Sequence, residues 1–283
     1  MNSKRTVLTV KDYSVSGEEF QLHYNEELEM LETFPQPHED QLPNYYISED
    51  YISHTDAKRN VFEITYHLIR NLALRKKIKL INSFSNTSKN LLDVGCGTGD
   101  FLQKAKSNGW NVKGIEPNKK ARDISNAKIN GQVFDATERL KLKQNSFDVI
   151  TLWHVLEHLP KLDEQLESFK KLLKPNGVLI IAVPNYKSFD ALYYKSFWAA
   201  YDVPRHLWHF SRTSIKNLFR NKKMDVVKTY PMKFDSYYVS LLSEKYKTGK
   251  MNFLNAFWVG VRSNIKAKFS GEYSSLIYVI KNS

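Results

Sequence analysis

Three glycines stand within five residues of this chain, where an apolar segment gives way to a helical one. The segment LLDVG (91–95) predicts a buried strand, and Gly97 and Gly99 follow it directly. Glycine lets the backbone turn sharply and lets a ligand approach it closely. A helix is predicted over 100–108, and its amino end offers free N–H groups to an anionic group. This order of strand, glycine loop and helix predicts an α/β domain that holds a ligand at the loop.

Strands and helices alternate along the chain after residue 90. This alternation of apolar strands with helices predicts a mostly parallel, Rossmann-like sheet with helices on both faces. Two further apolar runs near the end of the sequence bring the sheet to seven strands. The predicted strands are 91–95, 111–116, 131–134, 146–153, 177–183, 224–230 and 273–281. The predicted helices are 100–108, 119–129, 163–173 and 213–220, the last with Ser211 or Thr213 as its cap.

Charge divides the chain into an N-terminal extension, 1–75, and a body, 76–283. The extension has a net charge of −6 and the body a net charge of +18, within a total of +12. A basic body favours an anionic substrate, nucleic acid or an acidic membrane surface, and it equally fits a solvated surface. A helix predicted over 57–80 is expected to pack on the body. Its apolar residues at helical spacing are Val61, Ile64, Leu68 and Leu72.

Cysteine content and hydropathy limit the class of protein. Cys96 is the single cysteine, so an internal disulfide and a cysteine-rich zinc site are both excluded. The first residues show no apolar run typical of a signal peptide, and no 18-residue apolar stretch occurs, so we expect no transmembrane helix. We therefore expect a cytoplasmic protein, with peripheral contact to a membrane surface left open.

An acidic residue lies at the end of the strand that follows the glycine loop. The loop has the spacing G-x-G-x-G, unlike the G-x-G-x-x-G of a dinucleotide site, and Glu116 lies 17 residues beyond Gly99. At a strand end, its carboxylate can accept hydrogen bonds from both hydroxyls of a ribose. Asp93, just before the loop, can orient the loop or reach a ligand ammonium. The pattern predicts a ligand that contains a ribose.

Four segments in order resemble the motifs of class I S-adenosylmethionine-dependent methyltransferases: LLDVGCGTGDFL, GIEPN, SFDVITLWHVLEHL and LLKPNGVLIIAVPN. The resemblance implies S-adenosylmethionine as cofactor, with Glu116 on its ribose and Asp135 and Ala136 beside its adenine. It places the methionine end on the glycine loop, with Trp153 and His154 beneath it. The predicted cofactor site comprises Asp93, Gly95, Cys96, Gly97, Gly99, Glu116, Pro117, Asp135, Ala136, Trp153 and His154.

A narrower resemblance extends beyond these motifs. YYISEDYISH (45–54) and DVPRHLWHFS (202–211) resemble a subfamily that includes ubiquinone-biosynthesis O-methyltransferases and related bacterial small-molecule methyltransferases. Some of these relatives carry a cysteine zinc-binding element near their start. Here Asn25 and Leu28 stand where the cysteines would be. Because thiolates make such a site, we expect no zinc in the extension.

The segment His154-x-x-Glu157-His158 follows the predicted strand 146–153 and has two interpretations. Glu157 and His158 are either structural neighbours in a loop before Pro160 or ligands of a divalent metal. The quinone O-methyltransferases that this segment resembles can carry an acid and then Glu-His as ligands, and here His154 replaces the first acid. The strand–loop context argues against the zinc-protease motif that has a similar spacing. We assign no metal from the sequence.

Three residues of DVPRHLWHF are the candidates for catalysis. Methyl transfer needs nucleophile, methyl and sulfur in line, and a hydroxyl nucleophile benefits from a base near neutrality. His206 and His209 are the candidate bases, and hydrogen-bonded loop histidines are the alternative. Arg205 is the candidate ligand of a substrate carboxylate or phosphate, and a salt bridge to Asp202 is the alternative.

A lid is predicted from the aromatic insertion 185–210 and the segment 45–54. The fifth predicted strand ends near residue 183, and ligands of open α/β sheets bind beyond the carboxyl ends of the strands. Tyr45, Tyr51 and His54 are the candidate lid residues over the cofactor, and packing is the alternative role of the two tyrosines.

The aromatic insertion suits a mostly apolar pocket for a small molecule, so we expect methyl transfer to a small-molecule acceptor, on oxygen rather than carbon or nitrogen. The acceptor is expected to be anionic or aromatic. Nucleic acid is disfavoured, because LWHVLEHL stands where base methyltransferases have Asn/Asp-Pro-Pro-aromatic, and no basic block alternates with aromatics. An RNA or protein methyltransferase and a non-catalytic S-adenosylmethionine-binding module stay open as alternatives. The sequence does not determine the oligomeric state.

Overall fold

The computed structural model describes residues 5–46, 61–84 and 88–283 of the chain. They form a seven-stranded sheet, a four-stranded sheet and the helices packed around both. The strands are β1 (Arg5–Lys11), β2 (Glu19–Asn25), β3 (Met30–Phe34), β4 (Asn90–Val94), β5 (Asn111–Ile115), β6 (Val133–Phe134), β7 (Phe147–Trp153), β8 (Leu173–Pro184), β9 (Trp208–His209), β10 (Met224–Pro231) and β11 (Ser275–Asn282). The α-helices are α1 (Val61–Asn82), α2 (Asp100–Lys106), α3 (Lys119–Ile129), α4 (Leu162–Leu172), α5 (Phe189–Tyr194), α6 (Arg212–Arg220), α7 (Asp235–Thr248) and α8 (Phe253–Ser270). Short 3-10 turns are Leu42–Tyr46, Ala136–Lys141, Leu156–His158, Lys195–Phe197 and Ala199–Tyr201.

The large sheet has the strand order β10–β11–β8–β7–β4–β5–β6. Neighbours from β8 to β6 pair in parallel, and β11 runs antiparallel to both β8 and β10. The predicted Rossmann-like, mostly parallel sheet of seven strands is confirmed. The chain leaves β4 toward β5 and β6 on one side and returns to β7 and β8 on the other. The strand order therefore reverses between β4 and β7, which is where open α/β sheets bind their ligands.

Side chains that alternate along the central strands pack into two cores, one on each face of the sheet. Leu92 and Ile150 belong to one core, with residues of α4 and α6. Their neighbours Leu91 and Val149 belong to the other, with residues of α2 and the end of α3. Strands covered on both faces are apolar at most positions, which is why the sequence predicts them well.

The N-terminal extension contains an antiparallel sheet of β1, β2 and β3 that docks on the insertion 185–210. The two-residue strand β9 of the insertion adds to β3 by pairing His209 with Leu31. Leu22 of β2 packs in a third core with Tyr194 and Trp198 of the insertion. The sequence predicts no strand in the extension, because apolar alternation is weak where a strand such as β1 fully buries only one residue.

Helix α1 packs on the body through its C-terminal half. Ile78 and Ile81 are buried in the core beside α2, with Leu74 packed against them. The predicted helix is confirmed from residue 61 onward, but the expected packing of Leu72 is wrong, because its side chain is exposed. Val61, Ile64 and Leu68 lie outside the side chains that the structure describes, so their predicted packing stays a prediction. Residues 57–60 lie outside the described part of the chain.

The segment between β10 and β11 folds into the paired helices α7 and α8. In the sequence this segment is recognisable only as aromatic and basic, and no helix is predicted there. Asn252 caps α8 by accepting a hydrogen bond from the N–H of Asn255, and α7 and α8 are each followed by a glycine in the left-handed conformation. Within the described ranges, no helix combines the length and the apolar character that a membrane crossing requires.

Candidate active site

The predicted site residues follow four neighbouring strands of the large sheet. Gly95 follows β4, Glu116 follows β5, Asp135 and Ala136 follow β6, and His154 follows β7. Since these strands are parallel, their carboxyl ends lie at one edge of the sheet. The fold therefore brings the predicted cofactor residues to a single crevice, at the reversal point between β4 and β7.

The glycine loop is held against β5 by its own backbone. The N–H groups of Gly95 and Cys96 both donate to the carbonyl of Ile115, at 2.8 and 3.1 Å. Gly95 has a φ of 69°, and a Cβ there would lie 2.4 Å from a methyl carbon of Val155, so a side chain does not fit. The Cys96 side chain is buried beneath the loop, and this burial raises the pKa of its thiol. The contribution of Cys96 to the predicted site is therefore through its backbone.

Glu116 is tied to the glycine loop. Its Oε2 accepts a hydrogen bond from the N–H of Gly97 at 2.8 Å, and its Oε1 accepts one from Asn118 at 2.9 Å. Burial raises the pKa of this carboxyl, and the two backbone bonds oppose the rise. Each oxygen keeps a lone pair for another donor. A Cβ on Gly97 would meet no atom within 4 Å, so the loop is open there. This arrangement fits the ribose of the predicted cofactor.

Arg122 belongs to the same edge, and the sequence analysis missed it. Its Nη1 donates to the carbonyls of Glu116 and Pro117, at 2.6 and 2.9 Å, and lies 3.1 Å from Oδ2 of Asp135. A backbone hydrogen bond from Thr137 and the charge of Arg122 lower the pKa of Asp135. Arg122 therefore joins the ends of β5 and β6, where the adenine is expected. An arginine inside a helix carries no motif that predicts this contact.

Asp93 is buried in β4, immediately before the loop. Thr151 of β7 donates a hydrogen bond from its hydroxyl to Oδ1 of Asp93 at 2.6 Å. Burial raises the pKa of Asp93 to about 7, although the Thr151 bond and the charge of Lys77 favour the carboxylate. The carboxyl therefore changes charge near neutral pH, and its ionised form suits a ligand ammonium.

Lys77 of α1 is a second residue that the sequence analysis missed. Its Nζ lies 4.3 Å from the centre of the Trp153 ring, within the range of ammonium–ring attraction. Burial lowers the pKa of Lys77, and the charges of Asp93 and Asp235 oppose this. Nε1 of Trp153 is buried, and it has no hydrogen-bond partner among the residues that the structure describes. An ammonium, a carboxyl and an unbonded donor fit the zwitterionic methionine end of S-adenosylmethionine.

His154 lies between two carboxylates. Its Nε2 is 3.2 Å from Oδ2 of Asp235, and its Nδ1 is 3.4 Å from Oε1 of Glu157. Burial lowers the pKa of His154, but the two carboxylates outweigh it and raise the pKa to about 10. The ring is therefore protonated at neutral pH. A metal ligand must be neutral imidazole, so this contact disfavours His154 as a ligand in the H-x-x-E-H interpretation.

A buried cluster of Glu157, His158 and His206 lies just beyond β7. Their ligand atoms lie within 4.8 Å of one another, and the two rings meet edge to face at 4.5 Å. Nδ1 of His158 lies 3.0 Å from the carbonyl of Arg205, and Nδ1 of His206 lies 2.9 Å from that of Ala200. Donation by each Nδ1–H leaves each Nε2 with a free lone pair. Neither carboxylate oxygen of Glu157 has a hydrogen-bond partner within the described residues.

This donor set fits a divalent cation, with His206 in the place that the sequence interpretation gave to His154. Buried oxygens without donors and two oriented imidazoles are what such an ion requires. A cation held by Glu157, His158 and His206 would lower the pKa of a hydroxyl bound to it. Burial lowers the pKa of His158 to about 4, so its ring is neutral at neutral pH.

The other two catalytic candidates, His209 and Arg205, make the contacts that a structural role would require. His209 is buried with its Nε2 2.9 Å from the hydroxyl of Thr33, and burial lowers its pKa. Arg205 is buried and pairs with Asp202 at 2.7 Å and with Asp12 at 2.9 Å. The roles of His209 as a base and of Arg205 as a substrate ligand stay predictions.

The described end of the segment 45–54 reaches the cluster. The hydroxyl of Tyr46 lies 3.0 Å from Nδ1 of His158, a contact that the sequence analysis missed. Tyr45 donates from its hydroxyl to Glu18 at 2.8 Å. The other two lid candidates, Tyr51 and His54, lie outside the described residues.

The family to which these features belong is established by comparison. The model of the family described as methyltransferase domain matches residues 66–229, more than half of the chain. The chain belongs to this methyltransferase family. Family and fold together confirm the predicted class I S-adenosylmethionine-dependent methyltransferase, and with it S-adenosylmethionine as cofactor.

Curated relatives match part of the chain. The chain is 36% identical over 116 residues to a ubiquinone biosynthesis O-methyltransferase of Histophilus somni, which corresponds to 37% of this chain and 48% of that protein. It is 34% identical over 99 residues to a demethylmenaquinone methyltransferase of Lactobacillus johnsonii, or 30% of this chain and 40% of that one. The chain spans about half the length of the curated relatives it matches.

Solved structures match a larger part of the methyltransferase. A SAM-dependent methyltransferase from Thermotoga maritima is 18% identical, with a TM-score of 0.53, and the match covers 78% of this chain and 95% of that one. A geranyl diphosphate C-methyltransferase from Streptomyces coelicolor is 12% identical, with a TM-score of 0.56, and the match covers 87% and 97%. At these identities the similarity shows the fold alone.

Proposed function

We propose that this methyltransferase transfers the methyl group of S-adenosylmethionine to an oxygen of a small, largely apolar acceptor with a hydroxyl, such as a phenol or quinol. The buried cluster of Glu157, His158 and His206 carries the proposal. Glu157 and His158 follow β7, whose end borders the expected site of the methyl donor, and His206 of the insertion lies against them. A hydroxyl must lose its proton to become an effective nucleophile. The ubiquinone biosynthesis O-methyltransferase of Histophilus somni supports the same acceptor class.

Three charged residues of the crevice are proposed to bind the cofactor. Glu116 accepts the ribose hydroxyls with the lone pairs that Gly97 and Asn118 leave unused. Asp93 in its ionised form binds the ammonium of the methionine end. Lys77 binds the carboxylate of the methionine end, since its ammonium lies 4.3 Å from the Trp153 ring and its charge acts on Asp93.

His206 is proposed as the base. Bound S-adenosylmethionine supplies a methyl group on a positively charged sulfur, which the acceptor oxygen attacks in line to leave a methyl ether and S-adenosylhomocysteine. As the oxygen attacks, its proton passes to Nε2 of His206, whose Nδ1 is held by the carbonyl of Ala200. The buried carboxylate of Glu157, which also pairs with His154, stabilises the imidazolium that forms. The aromatic insertion excludes water around the acceptor.

Transfer of a radiolabelled methyl group to a panel of acceptors tests the proposal. Catechols and reduced quinones form one arm of the panel, and RNA and denatured protein form the other. We expect label in the first arm, and activity that survives a chelator of divalent cations. Label only in RNA or protein contradicts the acceptor class. Binding of cofactor without transfer to any acceptor indicates the non-catalytic module, and loss of activity on chelation assigns the cluster to a cation.

A further inference from the structure

Helix α8 has its small residues inside and its large apolar residues outside. The residues buried against the body are Ala256, Val259, Gly260, Ser263 and Ala267. A Cβ on Gly260 would lie 2.5 Å from the ring of Tyr237 in α7, so α7 and α8 pack as closely as their backbones allow. The side of α8 that faces the body is therefore closely packed without large side chains.

The opposite side of α8 exposes a stripe of large apolar side chains. The stripe consists of Leu254 and of Trp258, Ile265 and Phe269, which follow it by 4, 11 and 15 residues. These spacings put the four side chains on one helix face. Leu254 is 78% exposed, Trp258 59% and Phe269 90%. Phe257, next to the stripe, is exposed as well. An apolar surface of this extent on a folded protein marks an interaction site.

The two helices that carry this face, α7 and α8, have an excess of positive charge. The acids between residues 233 and 270 are Asp235, which pairs with His154, and Glu244, which is buried. Neither presents a free carboxylate beside the stripe. The basic residues of the same segment are Lys233, Lys245, Lys247, Lys250, Arg262, Lys266 and Lys268.

We infer that the outer face of α8, the stripe Leu254–Trp258–Ile265–Phe269 with the basic residues of this helix pair, docks on the surface of an anionic lipid membrane. An amphipathic helix with aromatic and aliphatic residues on one side and Lys and Arg at its flanks lies in the headgroup region and is attracted to acidic lipids. A second copy of the chain fits less well, because a two-fold contact through this face would place the same basic residues opposite one another.

The docking face is connected to the candidate active site through α7. Asp235, in the first turn of α7, contacts His154 at 3.2 Å, and α7 packs directly on α8. A membrane bound at α8 would therefore lie on the helix pair that borders the crevice. The inference goes beyond the proposed function and does not depend on the identity of the acceptor.

Co-sedimentation of the full chain with lipid vesicles tests the inference. We expect binding to vesicles of phosphatidylcholine mixed with phosphatidylserine, weaker binding to phosphatidylcholine alone, and loss of binding at high salt. The double variant Leu254→Ser/Trp258→Ser and the charge reversal Arg262→Glu/Lys266→Glu should each lower partitioning by at least about tenfold. Val227→Ser, which removes an exposed apolar residue of β10, is the matched control and should bind as the unchanged chain does.

Tryptophan fluorescence gives a readout that does not depend on the stability of these variants. The emission of Trp258 should shift to shorter wavelength with anionic vesicles, and Trp258→Phe should bind equally well without that shift. Absence of binding to anionic vesicles, or equal binding by the double variants, overturns the inference. So does a dimer in light scattering that Leu254→Ser/Trp258→Ser converts to monomer, because the face then belongs to a second copy.

Discussion

Oδ1 of Asp12 lies 2.9 Å from Nη2 of Arg205, and this buried ion pair joins residues that are 193 positions apart in the chain. Nη1 of Arg205 also donates to the carbonyl of Tyr45 at 3.0 Å. One guanidinium therefore links the N-terminal hairpin, the start of the lid segment and the insertion that carries His206. The position of the insertion depends on the extension.

Replacement of Asp12 by Asn should lower the free energy of unfolding by about 3 kcal/mol, because it leaves a buried guanidinium short of a charged partner. Unfolding in urea, followed by circular dichroism, measures the change. Glu26→Gln removes an exposed acid from the turn between β2 and β3 and should cost less than about 0.5 kcal/mol. Equal stability of the two variants would show that the ion pair is not needed for the docking of the extension.

The affinity for S-adenosylmethionine should rise with pH up to about 7. Burial raises the pKa of Asp93 to about 7, so below that pH the carboxyl is protonated and does not attract the ligand ammonium. Below pH 7 the dissociation constant should fall by up to about tenfold for each unit by which the pH rises, and above pH 7 it should level off. Calorimetry at several pH values measures this. Asp93→Asn should bind weakly at every pH, and a slope that persists in that variant excludes Asp93 as its source.

Glu116→Ala should weaken the binding of S-adenosylmethionine by about 1–3 kcal/mol, the usual effect of losing hydrogen bonds to a charged group. The variant also leaves the N–H groups of Gly97 and Asn118 without their acceptor. Asp123→Asn, on the exposed side of the neighbouring helix, is the control and should bind normally. Unchanged affinity of Glu116→Ala would exclude Glu116 as the ribose ligand.

His206→Ala should lower kcat while the dissociation constant of S-adenosylmethionine stays nearly the same. The reason is that the proposed base acts on the acceptor and not on the cofactor. His209→Ala should show the opposite behaviour, a loss of stability with turnover kept in the molecules that fold, because its ring is buried against Thr33. Single-turnover assays and calorimetry on the same samples separate the two effects. Equal losses of turnover and affinity in His206→Ala would mark His206 as structural.

The stability of the chain should fall as pH rises from about 6.5 to about 10. Asp235 and Glu157 raise the pKa of His154 to about 10 and outweigh the partial desolvation of its ring. A histidine whose pKa is higher in the folded than in the unfolded state stabilises the folded chain fully at pH values below its unfolded-state pKa. This stabilisation is lost as the pH rises through its folded-state pKa. Because the ring is one-third exposed, we expect only ~2–4 °C in Tm. His154→Gln should remove this part of the pH dependence, as thermal melts in a buffer series will show.

Local signals explain what could be predicted from the sequence. The segment LLDVG and the glycines after it specify a strand end and a turn without help from distant residues, and the structure has both. Glu116 follows from the same logic, since the end of one parallel strand must lie beside the end of the next. Helix α3 starts and ends at the predicted residues, 119 and 129, because Asn118 caps one end and Asn130 and Gly131 close the other.

Residues whose role arises from tertiary packing could not be predicted in this way. Lys77 and Arg122 are ordinary helical residues in the sequence, and only the packing of α1 and α3 brings them to the carboxyl edge of the sheet. The metal interpretation grouped His154 with Glu157 and His158 because they are neighbours in sequence. In the structure His154 pairs with Asp235, from a segment 81 residues away, and His206 takes its place in the cluster.

The antiparallel strand β11 sets a limit on how this chain can be divided. It lies between β8 and β10, and the family match ends at residue 229, before β11 begins. A fragment cut to the matched residues would leave β8, apolar throughout its central part, as an open edge with unpaired backbone groups, which is a template for aggregation. The segment that the family model matches is thus smaller than the segment that completes the sheet. The helix pair α7–α8 sits in the connection between β10 and β11, so its length can change without altering their register.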